Sequence, residues 1–354
     1  MTNHEKYMSR CLELAGLGAS DAAPNPMVGC VIVCRGKIIG EGWHRRYGGA
    51  HAEVNAVSAV KTPELLAEST LYVSLEPCAH FGKTPPCSDL IIEKKIPTVV
   101  IGTVDPFAEV AGKGIEKLRR AGVQVDVGIL EAECREINRR FFTFHEKKRP
   151  YILLKWAQTT DGFMDIARMP DDYGQPTWIT NELSRRLVHQ TRTREAAILV
   201  GTNTALKDNP SLTAREWSGP QPLRLVTDRT LRLPPNLHLF DGAAPTLVFT
   251  EKQQAAAGNA EWVSIDFQKN IPGQILAELF RRGIQSVMVE GGPQLLESFI
   301  GQNLWDEAHI YTGNTLFFNG VAAPKIQGDP VSLEQLDDCT LHVLRNPSAA
   351  RQPF

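Results

Sequence analysis

Three side chains that bind soft metals and one that moves protons sit in two short stretches of this chain. "HAEVNAV" (51–57) sets His51 two residues before Glu53, and "LEPCAHFGKTPPC" (75–87) carries Cys78 and Cys87. One imidazole and two thiolates would give a zinc ion three protein ligands and leave its fourth tetrahedral position for water. Zinc lowers the pKa of such a water from about 15.7 to roughly 7, which makes hydroxide available in neutral solution. Glu53 need not bind metal; it can take the water's proton and deliver protons to a ring nitrogen and a leaving amine. Pro77, Pro85 and Pro86 restrict the backbone around both cysteines, as presenting sulfur in a fixed direction requires. A structural zinc would need a fourth protein ligand, with His80 or the more distant His44 as candidates. Glu53 stands where a proton shuttle is needed, which favours catalytic over structural metal.

Alternating helix and strand signals surround these residues. "HEKYMSRCLELAGLG" has helical spacing, and "MVGCVIVCRGKIIGEGWH" reads as two strands joined by a tight turn at Arg35-Gly36-Lys37. "HAEVNAVSAV" predicts the helix that carries His51 and Glu53. "STLYVSLE" is a strand feeding the cysteine loop, and "SDLIIEKKI" is the helix after it. "PTVVIGTVD" and "VQVDVGI" are further strands, separated by the helix "KGIEKLRRAG". That order predicts an αβα sandwich. The charged stretch "EINRRFFTFHEKKRP" closes the unit, so domains are expected over 1–148 and 149–354. The second half supplies strands at "YILLKWAQTTDG", "AAILVG", "LRLVTD", "TLVFT", "SVMVEGG" and "EAHIYTG". Helices are expected at "NELSRRLVHQTRTR", "GQILAELFRRG" and from Pro293. "QQAAAGNA" reads as a surface loop or frayed helix, and "RNPSAARQPF" as a loose tail.

The 354 residues suit two domains, and 42% hydrophobic with 22% charged residues is ordinary globular composition. A net charge of −2 provides no general basic field for nucleic acid or an anionic membrane. No apolar run reaches the length of a membrane span, and the start lacks the apolar core of a signal peptide, so a cytoplasmic protein is expected. Seven cysteines, an odd number, argue against a disulfide framework in such a chain. Cys30 and Cys34 flank "VIV" and read as core residues, as do the isolated Cys11, Cys134 and Cys339.

His-x-Glu followed by Pro-Cys and a second Cys is the signature of zinc deaminases. The eight residues between Cys78 and Cys87 depart from the common Pro-Cys-x-x-Cys spacing. Here "HAEVNAV" with "EPCAHFGKTPPC" resembles the deaminase domain of the bifunctional riboflavin-biosynthesis deaminase–reductase family. "APNPMVGCVIV", "GEGWHRRYGGAHAE" and "DPFAEVAGKGIEKLRRAGV" share the resemblance in order and spacing. It implies that Asn25 and His44 contact the pyrimidine or ribityl-like part of a substrate, and Lys83 and Asp105 its ribose phosphate end. One departure is that Asp105-Pro106 runs into Phe107-Ala108, where the family shows Asp-Pro-Asn-Pro.

"SVMVEGGPQLLESF" places Gly291-Gly292-Pro293 between a strand and a helix, a turn that suits a phosphate but equally a plain connection, and it is not a Rossmann fingerprint. "YILLKWAQTTDG", "TWITNELSRRLVHQTRTREAAILVGTNTALKDNPSLTAR" and "VEGGPQLL" are similar to the family's reductase domain. That resemblance implies a dihydrofolate-reductase-like fold and NADPH as reductant. Gln158, Trp178, Thr204, Asp208 and the turn at Gly292 would line the cofactor site. Arg192, Leu212, Arg215 and Glu290 would line the substrate site, with Lys155 and Asp161 in the same strand-end region. Two arginines offer bidentate donors for a phosphate, and hydride transfer needs orientation rather than a nucleophile. Pro176 stands where the family commonly has a substrate-contacting serine.

The expected whole is a cytidine-deaminase-like αβα sandwich followed by a dihydrofolate-reductase-like α/β domain. Its two activities would be zinc-dependent deamination of a phosphoribosylated diaminopyrimidine and NADPH-dependent reduction of the product's ribose. No nucleic-acid or membrane partner is expected, and a homo-oligomer remains open. A tRNA or nucleoside deaminase fused to another reductase is disfavoured by the charge balance and the long His-Gly-Lys-Thr loop. A non-enzymatic protein with structural zinc would leave Glu53 incidental.

Overall fold

The computed structural model describes residues 2–81, 85–107, 111–169, 174 and 176–348. Contacts divide the chain into two compact units, Met1–Lys148 and Arg149–Phe354.

The first unit runs α1 (Asn3–Gly16), β1 (Gly29–Cys34), β2 (Lys37–Trp43), α2 (Ala52–Ala59), β3 (Ser69–Leu75), α3 (Cys87–Glu93), β4 (Thr98–Thr103), α4 (Lys113–Arg120), β5 (Gln124–Val127), α5 (Glu131–Ile137) and α6 (Arg139–Lys147). Its five strands lie in the order β2-β1-β3-β4-β5. β1 pairs antiparallel with β2 and β3, whereas β3, β4 and β5 are mutually parallel. Both faces are buried, so alternate residues of one strand enter different cores. Ile32, Val73 and Ile101 pack with Ala52, Ala56, Ile91 and Leu118 of α2, α3 and α4. Val31, Tyr72 and Val100 pack on the other side with Met8, Cys11 and Leu14 of α1 and Cys134 of α5. Gly42 is what brings α2 close: a Cβ there would overlap the Ala56 nitrogen and the Ala52 carbonyl oxygen.

The second unit runs β6 (Tyr151–Gln158), β7 (Phe163–Asp165), α7 (Glu182–Arg192), β8 (Ala197–Gly201), α8 (Thr202–Asp208), β9 (Leu223–Thr227), β10 (Thr246–Thr250), β11 (Ala260–Ser264), α9 (Ile271–Arg281), β12 (Ser286–Val289), α10 (Pro293–Ile300), β13 (Glu307–Thr312), β14 (Val321–Ala322), β15 (Asp329–Leu336) and β16 (Cys339–Arg345). Nine strands form one sheet, β11-β10-β9-β8-β12-β6-β13-β16-β15. The run from β11 to β13 is parallel throughout, and the hairpin β15–β16 adds an antiparallel edge. Ile152, Leu154, Leu199 and Val289 face α9 and α10 through Ile275, Leu279, Leu296 and Phe299. Leu153, Ile198, Val226 and Met288 fill the opposite face with Leu212 and Leu239.

The charged stretch at the end of the first unit is two helices, with Phe141, Phe142 and Phe144 buried. The region after "YTGNTLFF", which carries no sequence signal, supplies the β15–β16 hairpin. The loose-tail expectation is corrected at its start. Arg345 ends β16, and buried Asn346 donates to Asn303 and to the Trp305 carbonyl. Residues 349–354 lie outside the described residues.

Candidate active sites

His51 caps the start of α2 in extended backbone, and Asn55 one turn later donates to the Trp43 carbonyl at 2.8 Å, tying the helix to the end of β2. The His51 Nδ1 atom then faces both sulfurs, 3.6 Å from Cys78 Sγ and 3.3 Å from Cys87 Sγ. A tetrahedral zinc ion with bonds of about 2.3 Å to sulfur and about 2.0–2.1 Å to nitrogen spaces those two ligand types roughly 3.6 Å apart. The donor set and its spacing therefore fit zinc. Among the described residues no fourth His, Cys, Asp or Glu joins this cluster. His44, the alternative ligand, is engaged elsewhere: its Nδ1 lies 3.1 Å from the Ala50 carbonyl oxygen, and the Asn25 amide meets its Nε2 at 3.1 Å. The backbone N–H of Cys87, first residue of α3, donates to Cys78 Sγ at 3.3 Å.

The electrostatics suit a cation. A hydrogen bond from the Cys87 thiol, opposed by burial and helped by His51, holds the Cys78 thiol down at about 4. Its partner Cys87 is pushed up by that same hydrogen bond and by burial. Glu53 lies in the first turn of α2, only 4% exposed. Burial, with Cys78 adding to it, pushes its carboxyl up to about 7. Asp105, after β4, is raised to about 6 by burial and accepts from the Phe107 N–H at 2.8 Å. Lys83 lies outside the described residues. Cys11, Cys30, Cys34, Cys134 and Cys339 are all buried and free, as expected of core thiols.

In the second unit a cavity of about 1400 Å³ opens at the carboxyl ends of the parallel strands, where open α/β sheets bind ligands. Lys155, Trp178, Arg192, Thr204, Asp208, Leu212, Arg215, Glu290 and Gly292 all line it. Gln158 does not: its side chain accepts from the Trp156 indole at 2.9 Å, and Ala157 lines the wall instead. Asp161 is also elsewhere, accepting from the backbone N–H of Phe317 and Phe318. Arg192 grips Glu290 with two hydrogen bonds of 3.0 and 2.9 Å and donates to the Thr213 carbonyl at 3.0 Å. The Lys155 ammonium is 3.8 Å from the same carboxylate. Burial would raise Glu290, but Arg192 and Lys155 outweigh it and hold the carboxyl at about 2. Thr204 accepts the Gly292 N–H at 3.1 Å, joining α8 to the turn before α10. Leu212 is buried in left-handed backbone (φ 52°), a conformation rare for such a side chain.

Two family models match the chain: "Cytidine and deoxycytidylate deaminase zinc-binding region" over residues 1–103, and "RibD C-terminal domain" over 150–337. The chain is 41% identical to the riboflavin biosynthesis protein RibD of Aquifex aeolicus, over 94% of this chain and 90% of that protein. It is 35% identical to the Escherichia coli RibD, covering 87% and 86%. The chain belongs to the RibD family. It is a bifunctional deaminase and reductase of riboflavin biosynthesis, with zinc-binding deaminase and NADPH-dependent reductase domains. A solved Thermotoga maritima structure is described as a diaminohydroxyphosphoribosylaminopyrimidine deaminase/5-amino-6-(5-phosphoribosylamino)uracil reductase. It is 38% identical with TM-score 0.87, covering 97% of this chain and 99% of that one. The RibD of Acinetobacter baumannii has the same TM-score at 31% identity, covering 97% and 98%. Both expected folds are therefore met. Among the described residues no helix is long and apolar enough to cross a membrane.

The two departures from the RibD pattern have visible surroundings. The Phe107 ring packs 5.2 Å from that of His145, and Pro176 lines the reductase cavity. Three further residues carried no motif. Asn138 clamps the backbone of Met27 with two hydrogen bonds of 2.8 Å, bracing the segment that carries Asn25. Arg168 ties Asp165, Thr177 and Asp208 together beside Trp178. His189 lines the cavity, and burial with Arg192 and Arg215 nearby pushes its imidazole down to about 4. The Asn138–Met27 and Arg168–Asp208 bonds span 111 and 40 residues, separations that no local pattern reports.

Proposed function

We propose that the substrate of the first unit is 2,5-diamino-6-(5-phosphoribosylamino)pyrimidin-4(3H)-one, which it deaminates by hydrolysis. The second unit then reduces the ribosyl group of 5-amino-6-(5-phosphoribosylamino)uracil to the ribityl form. The observation that carries the first half is the convergence of His51 Nδ1 and two sulfurs beside a buried Glu53. His51, Cys78 and Cys87 would hold zinc, and the chemistry the metal would supply when bound is a water made nucleophilic near neutral pH. Glu53 takes the proton of the attacking water and delivers protons to the ring nitrogen and to the departing ammonia. His44 donates its Nδ1–H to the Ala50 carbonyl and accepts the Asn25 amide on Nε2, which fixes the Asn25 side chain against the pyrimidine. Lys83 and Asp105 take the ribose phosphate end.

In the second unit NADPH would supply the hydride when bound. Trp178, Thr204, Asp208 and the Gly292 turn bind it; Gln158 acts there only through Trp156, whose indole it holds. Arg192, Arg215, Lys155, Leu212 and Glu290 orient the opened sugar and its phosphate. Arg215 is exposed and has no carboxylate partner among the described residues, which leaves its guanidinium available to an anion. The protein works in the cytoplasm on a small molecule, with no nucleic acid or membrane partner. Incubation with the diaminopyrimidine and no NADPH should exchange an amino group for a carbonyl oxygen. Adding NADPH should then add two hydrogens, read by mass spectrometry. Binding of tRNA with a steep salt dependence would favour the polynucleotide-deaminase reading instead.

A further inference from the structure

Glu76 ends the strand segment that leads into Pro77-Cys78 and is only 4% exposed. A buried carboxylate ordinarily pairs with a cation, yet among the described residues none pairs with it. Four backbone N–H groups take that place. Oε1 accepts from Gly114 at 2.9 Å and Ile115 at 3.2 Å; Oε2 accepts from Gly112 at 2.9 Å and Asp105 at 3.3 Å. An ionised carboxylate has about four lone-pair sites, and all are used. The Glu76 N–H itself donates to the Thr103 carbonyl at 3.0 Å. One side chain thus joins three pieces: the zinc loop, the end of β4 that carries Asp105, and the first turn of α4.

The local sequence is built for this junction. Gly112 adopts φ 74° at the cap of α4, and a Cβ on Gly114 would overlap the Pro77 carbonyl oxygen. Because Glu76 occupies the first-turn amides of α4, that helix end is closed to an incoming phosphate. Its positive dipole end instead stabilises the buried carboxylate.

We propose that Glu76 is a positioning residue for deamination, holding Asp105 in register with the zinc ligand Cys78 so that the substrate's phosphoribosyl end and its reacting carbon are seated together. This rests on the reading of Asp105 as a substrate contact. Glu76→Gln keeps one acceptor oxygen but turns an NH₂ group toward two backbone N–H donors, so one of the anchored segments must shift.

The test is a double-mutant cycle in the full-length, zinc-loaded protein with Glu76→Gln, Asp105→Asn and both together. Zinc per chain, kcat and KM for ammonia release, and NADPH oxidation on supplied deaminated intermediate are measured. Each single variant should raise the deamination KM about tenfold with kcat little changed, the pattern of lost uniform binding. Zinc content and reduction should stay at wild-type values. The double variant should be no worse than the worse single. KM effects that multiply, or a Glu76→Gln variant with native KM, would overturn the role of Glu76 while leaving Asp105 in place. Asp105→Asn with native KM would instead overturn the reading of Asp105, and the proposal with it. If Glu76→Gln does not fold, Glu76→Asp enters the same cycle. It should raise KM less than Asp105→Asn does, and add nothing in the Asp105→Asn background.

Discussion

In the deaminase site three ligand atoms lie within 4.8 Å of one another, and His51, Glu53, Cys78 and Cys87 come from two stretches of chain. The reductase cavity holds about 1400 Å³, and its lining is gathered from Lys155 to Ala322. The first site is defined by atoms that must bond one ion, so only a few residue types at nearly fixed separations serve. The second must hold an extended cofactor against a sugar, so shape and charge matter and many side chains share the task. A single substitution should therefore be close to decisive in the first site and graded in the second.

The largest effect is expected from the ligands. Cys87→Ser should leave a chain with little or no bound zinc and no measurable ammonia release. Cys34→Ser, in a buried strand position, should keep one zinc per active chain and lose only stability. Metal analysis beside the deamination assay checks both, and full zinc in the Cys87 variant would blur the contrast between the sites. Glu53→Ala comes next. Zinc should remain while deamination falls by roughly 10²–10⁴, the usual share of a general acid–base group. Ammonia release near the wild-type rate by the zinc-loaded variant would make Glu53 a bystander.

The same contrast explains what could be read from the chain alone. The β1–β2 hairpin, the helix carrying His51 and Glu53, and the cysteine loop all follow from short-range spacing. Arg192 and Glu290 are 98 residues apart, and Asn138 and Met27 are 111 apart. Nothing local announces either pair. α6 was hidden because its buried phenylalanines form one short cluster, Phe141 to Phe144, between charged flanks that read as a boundary. β15 was hidden because it is an exposed edge strand, with Val331 and Leu333 facing solvent, so it lacks the alternation that marks a half-buried strand. Gln158 carries no local sign that its side chain turns back to accept from the Trp156 indole rather than line the cavity.

In the reductase cavity the strongest single effect is expected at the Arg192–Glu290 pair, which is nearly inaccessible. Glu290→Ala strands the Arg192 guanidinium and the Lys155 ammonium, and removing one partner of a buried pair costs about 3–5 kcal/mol. Thermal unfolding should register that loss. Replacing both members, as Arg192→Met with Glu290→Leu, should recover part of the stability because the buried charges fall by two, yet NADPH oxidation should remain absent. Recovery of reduction in the double variant would mean that the pair serves the fold alone.

The smallest effect, and the one that best tests whether the two sites act separately, is expected at Arg215. This arginine is exposed on the cavity wall, so its removal leaves no buried charge and should not disturb folding. A hydrogen bond to a charged group contributes about 1.5–3 kcal/mol, so Arg215→Ala should raise the KM for reduction by roughly 10–100-fold. Deamination should continue at the wild-type rate, and the deaminated, unreduced ribosylaminopyrimidine should accumulate. Removing zinc with a chelator is the reciprocal experiment. Ammonia release should stop, while the same intermediate, supplied directly, should still be reduced by NADPH. Following ammonia and NADPH separately in both preparations distinguishes the outcomes. Deamination lost in a folded Arg215→Ala protein, or reduction lost on zinc removal, would show that each site depends on the other, and the contrast between an ion-defined and a shape-defined site would no longer describe two independent machines.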